Sequence, residues 1–341
     1  MKSISIKAYA KVNLSLDVTG KLNNGYHTLR SVMQAVNLFD ELTVTVSEDS
    51  DRGSNSESND NSNGGIILHL EFDADERLAE SDVTADSNNL AYKAAVAMQK
   101  RYKPDPSKSC EKIEISLKKK IPVAAGLAGG SSDAAAVILA LAHLWKLEAN
   151  LDELIQLGMT IGADIPFCLI SNAKNNRECG YANDKLASSA ALAEGIGEIL
   201  TPIPSLYGSL IIVKPPIAVS TPVIYSLYDE REDLVIKRPD NEALIAAIKD
   251  FEPEMESEVK TIVFDNIVNV LEPIARSEYT VVAETLDTLI KLIPGSKIFM
   301  SGSGPTAVAY FETHIDALKY YIIIFEKFLQ KSDIFMMKLL K

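Results

Sequence analysis

Residues 122–135 read Pro-Val-Ala-Ala-Gly-Leu-Ala-Gly-Gly-Ser-Ser-Asp-Ala-Ala, and no other stretch limits the fold as tightly. A turn holding Gly126, Gly129 and Gly130 opens directly into a segment of strong helix formers, Asp133 to Leu147. Glycine lacks a Cβ, so the backbone there bends sharply and an anion comes close to it. The helix behind the turn offers unpaired N–H groups and the positive end of its dipole. Ser131 and Ser132 stand at the junction, where a hydroxyl caps the helix, donates to a phosphate oxygen or faces a divalent metal. On spacing alone, a serine-capped strand-to-helix turn fits as well as a phosphate loop does. The Gly-Lys-Ser/Thr ending of the P-loop is missing, and so is the glycine order of a dinucleotide site.

The rest of the chain reads as an α+β protein in two domains, 1–195 and 205–341. Alternation predicts strands over 3–10, 11–18, 29–38, 41–47, 66–72 and 110–118, and helices over 89–102 and 152–160. The second half predicts strands at 210–213, 297–301, 306–311 and 333–340. Helices are predicted at 221–228, 241–250, 257–272, 277–291 and 314–330. Residues 47–65 and 171–190 are polar and lack apolar spacing, so both are expected to be loops.

Composition removes several functional classes. The net charge of −13 disfavours nucleic-acid binding, which depends on basic surface. The longest apolar run, Ala134 to Ala142, is far short of the roughly 20 residues of a membrane span. The first residues alternate like a strand rather than forming a signal-peptide block, which leads us to expect the cytoplasm. Cys110, Cys168 and Cys179 form no C-x-x-C pair, which argues against a disulfide framework and a structural zinc site.

Two further residue sets bear on chemistry. Lys11 and Asn13 fall on one face of an alternating strand. Asp164 sits in Gly-Ala-Asp-Ile-Pro, just past a helix end. Singly, each is ordinary: a solvent-facing lysine and a turn acceptor. Together they supply a cation for developing charge and a carboxylate for a hydroxyl proton. A third glycine turn, Ser301-Gly-Ser-Gly-Pro305, lies between two strands.

In this order, a lysine-bearing strand, a central glycine loop and a C-terminal glycine turn resemble the GHMP kinases. Lys11-Val-Asn-Leu-Ser-Leu-Asp-Val, Gly25-Tyr-His-Thr-Leu and Ser31-Val-Met-Gln-Ala-Val-Asn-Leu-Phe-Asp are similar to the branch whose alcohol substrate carries a cytidyl diphosphate. Gly-Ala-Asp-Ile-Pro-Phe at 162–167 and Ser-Thr-Pro-Val-Ile-Tyr at 220–225 extend the likeness, which runs from about residue 6 to 312.

The resemblance implies an N-terminal domain like ribosomal protein S5, a ferredoxin-like C-terminal domain and an active-site cleft between them. It implies an ATP- and Mg²⁺-dependent kinase of isoprenoid biosynthesis, acting on the 2-hydroxyl of a cytidyl diphosphate sugar alcohol. A homoserine- or mevalonate-type kinase, or a non-catalytic binding protein on the same fold, is the alternative.

Carried onto this chain, the resemblance makes Asp164 the catalytic base and Lys11 the lysine that orients the hydroxyl. Pro122, Val123, Ala124, Ala125, Gly126, Leu127, Ala128, Gly129, Gly130, Ser131 and Ser132 become the phosphate loop, with Lys119 and Asn89 as further nucleotide contacts. Tyr26, His27 and Tyr225 form the cytosine pocket, and Asn13 and Thr221 contact the rest of the substrate. Ser132 is the expected Mg²⁺ contact. A monomer or weak homodimer is expected, without nucleic-acid or membrane partners. Ala128 replaces a glycine usual in the family, at a cost of about 1 kcal/mol if the position needs positive φ. Residues 48–65 and 172–190 look like insertions, expected to lie on the surface.

Overall fold

A computed structural model describes residues 1–48, 65–72, 83–103, 111–231, 236–252, 258–329 and 331–341. Cys110 and nearly all of the expected insertion at 48–65 lie outside the described residues. The chain opens with β1 (Lys2–Asn13), β2 (Asp17–Lys21), β3 (His27–Glu48), β4 (Ile66–Phe72), α1 (Leu90–Tyr102) and β5 (Glu111–Lys119). Three helices follow, α2 (Gly129–Leu144), α3 (Leu151–Met159) and α4 (Ile165–Asn175), then β6 (Ala190–Gly195), β7 (Ile199–Pro202) and β8 (Ser209–Lys214). Next come α5 (Thr221–Glu230), α6 (Asn241–Lys249), α7 (Glu258–Asn266), α8 (Glu272–Glu278) and α9 (Thr280–Leu292). The last elements are β9 (Lys297–Met300), β10 (Ala307–Phe311), α10 (His314–Phe328) and β11 (Asp333–Lys338).

Packing divides the chain into two compact units that interleave along the sequence. One holds Met1–Tyr9, Phe39–Val123 and Ala128–Ala187; the other holds Ala10–Leu38, Ala124–Leu127 and Ser188–Lys341. The division therefore passes through β1, β3 and the glycine turn, a different partition from the sequence domains 1–195 and 205–341.

In the first unit, β5 pairs antiparallel with the second half of β3 and parallel with β4. The register sets Leu42 against Leu117, Val44 against Ile115 and Val46 against Ile113, and all six are buried. Period-two alternation thus gives the sheet one apolar face. Helix α2 is buried at every position from Ser132 to Ala142, which its small, apolar composition allows. Asn89 caps α1 by accepting from the Ala91 N–H at 2.9 Å. Pro166, tolerated in a first turn, opens α4.

In the second unit, four antiparallel strands run in the order β11-β8-β10-β9. Ile211, Val213, Ala307 and Ala309 pack with Ile274, Val282, Leu286 and Ile324 into its core. The first half of β3 pairs with β2 and β6 in this unit, and β6 pairs with β7.

Three expectations need correcting. β1 and β3 each run unbroken where two strands apiece were expected. Polar residues at these junctions are buried within the strands: Lys11 bonds Asn13, and Asp40 takes backbone N–H groups from Lys120 and Ile121. The stretch 171–190 is not all surface loop, since α4 continues to Asn175. Asn172 is fully buried; it accepts from the Tyr9 N–H at 3.0 Å and donates to the Ser132 carbonyl at 3.1 Å. The helix expected over 257–272 stops at Asn266, and Asn269 donates instead to the Met300 and Gly302 carbonyls, both at 2.8 Å.

Candidate active site

The glycine turn has a distinctive backbone. Ala124, Gly126 and Ala128 all have positive φ, at 51°, 69° and 59°. Changes of handedness along a turn direct successive N–H groups into an anion-binding hollow. Helix α2 begins at once with no side-chain cap, leaving its first N–H groups for a ligand. At Gly126 a Cβ would lie 2.5 Å from the Ser301 carbonyl oxygen, so glycine is required there for close approach as well as for φ.

Ala128 bears the left-handed strain that its sequence position raised. Ala128→Gly should therefore raise stability by up to about 1 kcal/mol and tighten ATP binding by no more than a few-fold. Urea unfolding and the KM for ATP check this; loss of stability would show that Ala128 is not strained.

Below the turn lies a buried charge cluster that sequence reading missed. Lys119 is 3% exposed, and its ammonium pairs with Asp40 and with Asp133 Oδ2, the latter at 2.6 Å. Burial opposes the charge on Lys119, but Asp133 and Asp40 outweigh it and hold its pKa above the ordinary lysine value. Burial, reinforced by Asp40, pushes the Asp133 carboxyl well up against the pull of Lys119. Asp133 Oδ1 has no hydrogen-bond partner among the described residues, although the atom is buried. Lys119 is thus a strut at the start of α2. A Cβ at Gly129 would stand 3.5 Å from its Nζ.

In the second unit the three sequence motifs meet. Lys11 is 4% exposed, and its Nζ donates to Asn13 Oδ1 at 2.7 Å. Asn13 Nδ2 donates to Ser31 Oγ at 2.8 Å, which donates to the Ser15 carbonyl at 2.6 Å. The Lys11 N–H donates to the Leu127 carbonyl at 3.1 Å. Ser301 Oγ accepts from the Asn13 N–H at 3.3 Å and donates to the Gly126 carbonyl at 3.2 Å. The lysine strand, part of the glycine loop and the C-terminal glycine turn are therefore held together by hydrogen bonds.

The same unit brings the aromatic residues together. The His27 ring stacks on Tyr225 with centroids 4.8 Å apart and planes inclined by 27°. His27 Nε2 lies 2.7 Å from Asp229 Oδ1, and Lys21 Nζ donates to Asp229 Oδ2 at 2.6 Å. Thr221 Oγ1 and Ser303 Oγ are 2.7 Å apart. Tyr26 is 56% exposed.

Residues 89–172 match the family model described as the GHMP kinases N terminal domain. A relative from Acetivibrio thermocellus, named 4-diphosphocytidyl-2-C-methyl-D-erythritol kinase, is 38% identical over 323 residues, covering 94% of each chain. One of the same name from Clostridium acetobutylicum is 35% identical over 319 residues, 93% of this chain and 94% of the relative. The chain belongs to the GHMP kinase family.

A solved 4-(cytidine 5'-diphospho)-2C-methyl-D-erythritol kinase superimposes on this GHMP kinase with a TM-score of 0.67 and 26% identity, covering 98% of this chain and 99% of the other. Homoserine kinase from Cytophaga hutchinsonii shares the fold at a TM-score of 0.62 and 16% identity, covering 99% and 95%. The α+β, two-domain reading of the sequence is that of the GHMP kinase fold.

Set within that fold, the expected site residues divide by environment. Lys11, Asn13 and His27 make side-chain hydrogen bonds, whereas Ala125 and Leu127 of the loop are buried among apolar residues and Tyr225 packs against the core of the second unit. Asp164 lies partly exposed at the start of α4, where its carbonyl accepts from the Cys168 N–H at 3.2 Å. Asn89 is occupied in capping α1 and in donating to the Thr84 carbonyl at 2.9 Å.

The Ser132 hydroxyl is fully buried, donates to the Tyr9 carbonyl at 2.8 Å and accepts from Asn172 Nδ2 at 3.2 Å. That geometry does not suit the metal contact expected of Ser132; Ser131, next to it, is the partly exposed hydroxyl. The turn itself fits a polyphosphate, because its left-handed positions and the uncapped helix end supply N–H donors. Asp229 was missed, although it stands four residues after Tyr225 on one helix face. Asp40 carried no local signal.

Proposed function

We propose that this GHMP kinase transfers the γ-phosphoryl group of ATP to the 2-hydroxyl of 4-diphosphocytidyl-2-C-methyl-D-erythritol, in the methylerythritol phosphate route to isoprenoids. The stacked His27–Tyr225 pair carries the substrate assignment: a flat ring surface beside a hydrogen-bonding imidazole suits a pyrimidine. Tyr26 adds a second aromatic face, and Asn13 and Thr221 contact the rest of the substrate. Asp164 takes the hydroxyl proton, and Lys11 offsets the charge that develops as phosphoryl transfers. The loop N–H groups from Gly126 to Ser132 hold the phosphates, and Mg²⁺ accompanying ATP supplies charge neutralisation. The reaction belongs in the cytoplasm; among the described residues no helix is long and apolar enough to cross a membrane.

A coupled ADP-release assay with MgATP and a panel of acceptors tests the reading. Turnover with the cytidyl substrate should exceed that with homoserine or mevalonate by at least about 10³-fold. Comparable rates on either of the latter would overturn the assignment.

Asp229 sets the chemistry of the His27 ring. Burial opposes its charge, but Lys21 and His27 outweigh that and hold the carboxyl below the usual range. A group with a lowered pKa keeps its ionised, pairing form above its ordinary value and loses it as pH falls through the lowered one. At neutral pH the carboxylate therefore accepts, so His27 Nε2 carries a proton toward Asp229, and in that tautomer Nδ1 is the acceptor presented to the substrate. An acceptor there matches the amino group of cytosine and repels the carbonyl of uracil. Asp229→Asn should cut the preference for CDP over UDP in calorimetric binding by about tenfold, because an amide satisfies either tautomer. An unchanged ratio would remove Asp229 from substrate selection.

A further inference from the structure

Asn269 stands between α7 and α8 and spends its whole side chain on backbone. It is 5% exposed. Its Nδ2 donates to the Met300 and Gly302 carbonyls, both at 2.8 Å, and its Oδ1 accepts from the Leu271 N–H at 2.9 Å. An asparagine amide has two donor hydrogens, and both go to the residues on either side of Ser301. Glu272, in the first turn of α8, adds a third hold: its Oε2 accepts from the Met300 N–H at 3.0 Å. A glycine turn between paired strands closes on its own hydrogen bonds and needs no such hold from outside.

The hold passes to the glycine loop through one side chain. The Ser301 N–H donates to the Thr306 carbonyl and the Gly304 N–H to the Ser301 carbonyl, both at 3.1 Å. With Met300 and Gly302 pinned as well, the Ser301 backbone is fixed, and its hydroxyl sits between the Asn13 N–H and the Gly126 carbonyl. A trans peptide sets its N–H opposite its carbonyl, so the bond from Ser301 turns the Leu127 N–H away from the C-terminal turn. The contact has no slack, since a Cβ on Gly126 would stand 2.5 Å from the Ser301 carbonyl oxygen. The segment that carries Asn269 also grips the exit of the lysine strand. The Leu16 N–H donates to the Val268 carbonyl at 2.8 Å, and the Val270 N–H to the Leu16 carbonyl at 3.0 Å.

We infer that Asn269, supported by Glu272, is a positioning residue of the kinase: it fixes Ser301, and Ser301 fixes the peptide between Gly126 and Leu127 that faces the phosphates of ATP. The inference rests on the glycine loop being the ATP site. The contacts that link Asn269 to the loop involve neither His27 nor Tyr225. Affinity for ATP therefore depends on Asn269, and affinity for the cytidyl group does not.

Calorimetric titration of the full chain with MgATP, and separately with CDP, tests this without any phosphoryl acceptor. Asn269→Asp keeps the shape but sets a carboxylate oxygen against two carbonyls, and should weaken MgATP at least about tenfold. Ser301→Ala should weaken it about fivefold. The double variant should bind within about twofold of Asn269→Asp, because the first residue acts through the second. CDP affinity should change less than about threefold in all three. Glu272→Ala should weaken MgATP at least about threefold, and Glu272→Gln, which still offers an acceptor to the Met300 N–H, should restore it. That pair decides the matter if Asn269→Asp does not fold. Unchanged MgATP affinity in Asn269→Asp, fully multiplied losses in the double variant, or equal losses for MgATP and CDP would overturn the inference. A wild-type chain that binds no MgATP would overturn it together with the reading of the loop. A wild-type chain that binds MgATP but not CDP would cost the cytidyl assignment alone, and the MgATP comparison would still decide the part of Asn269.

Discussion

Replacing Asp164 by Asn should lower kcat for phosphoryl transfer by at least about 10², with the KM for ATP changed less than threefold. The substitution keeps the size of the side chain and removes its negative charge together with its ability to take a proton. The backbone of α4 should be undisturbed, because Asp164 joins the helix through its carbonyl and makes no side-chain cap. In the proposed reaction ATP meets the loop N–H groups, so nucleotide affinity is the internal control. A variant with near-normal kcat would remove Asp164 from the chemistry. A variant that lost ATP affinity in equal measure would give Asp164 a structural part instead.

Lys119→Met should cost about 3–5 kcal/mol of stability, the usual penalty for removing one partner of a buried ion pair. Methionine nearly fills the volume, so the loss is electrostatic: Asp40 and Asp133 would face each other buried and without their cation. The pH dependence separates this from a packing defect. In wild type, the raised pKa of Lys119 means its contribution is fully present below 10.5 and is lost only as pH rises through a higher value. In the variant the two carboxyls must bind protons to stay buried, so the deficit should shrink as pH falls from 8 towards 5. Asp133→Asn in the Lys119→Met background should recover part of the loss. Denaturant midpoints across pH for the three proteins check the scheme; a deficit independent of pH would assign Lys119 to packing alone.

Much of this protein was legible where chemistry and local pattern coincide. Alternation marked the strands, and the step from glycines into an Ala/Leu run marked the loop and α2. Lys11 and Asn13 share a face because side chains on a strand repeat every second residue. What could not be read depends on contacts distant in sequence. Asp40 lies 79 residues from Lys119, and nothing around it shows that its carboxylate collects an ammonium and two N–H groups. Asn172 sits in a polar stretch that reads as solvated, yet its amide is spent on Tyr9 and Ser132 in the interior. Ser132 looked like an open hydroxyl because sequence gives no direction to a side chain in a first helical turn. Asp229 had a usable signal in its spacing from Tyr225, but its pairing with His27 joins residues 202 apart.

Phosphorus NMR of the product formed from MgATP and 4-diphosphocytidyl-2-C-methyl-D-erythritol tests the proposed reaction most directly. A new phosphomonoester resonance coupled to carbon 2 of the methylerythritol, rising in step with ADP and absent in Asp164→Asn, is the expected result. Release of the γ-phosphate as inorganic phosphate alone, or its appearance on a different hydroxyl, would contradict the assigned chemistry.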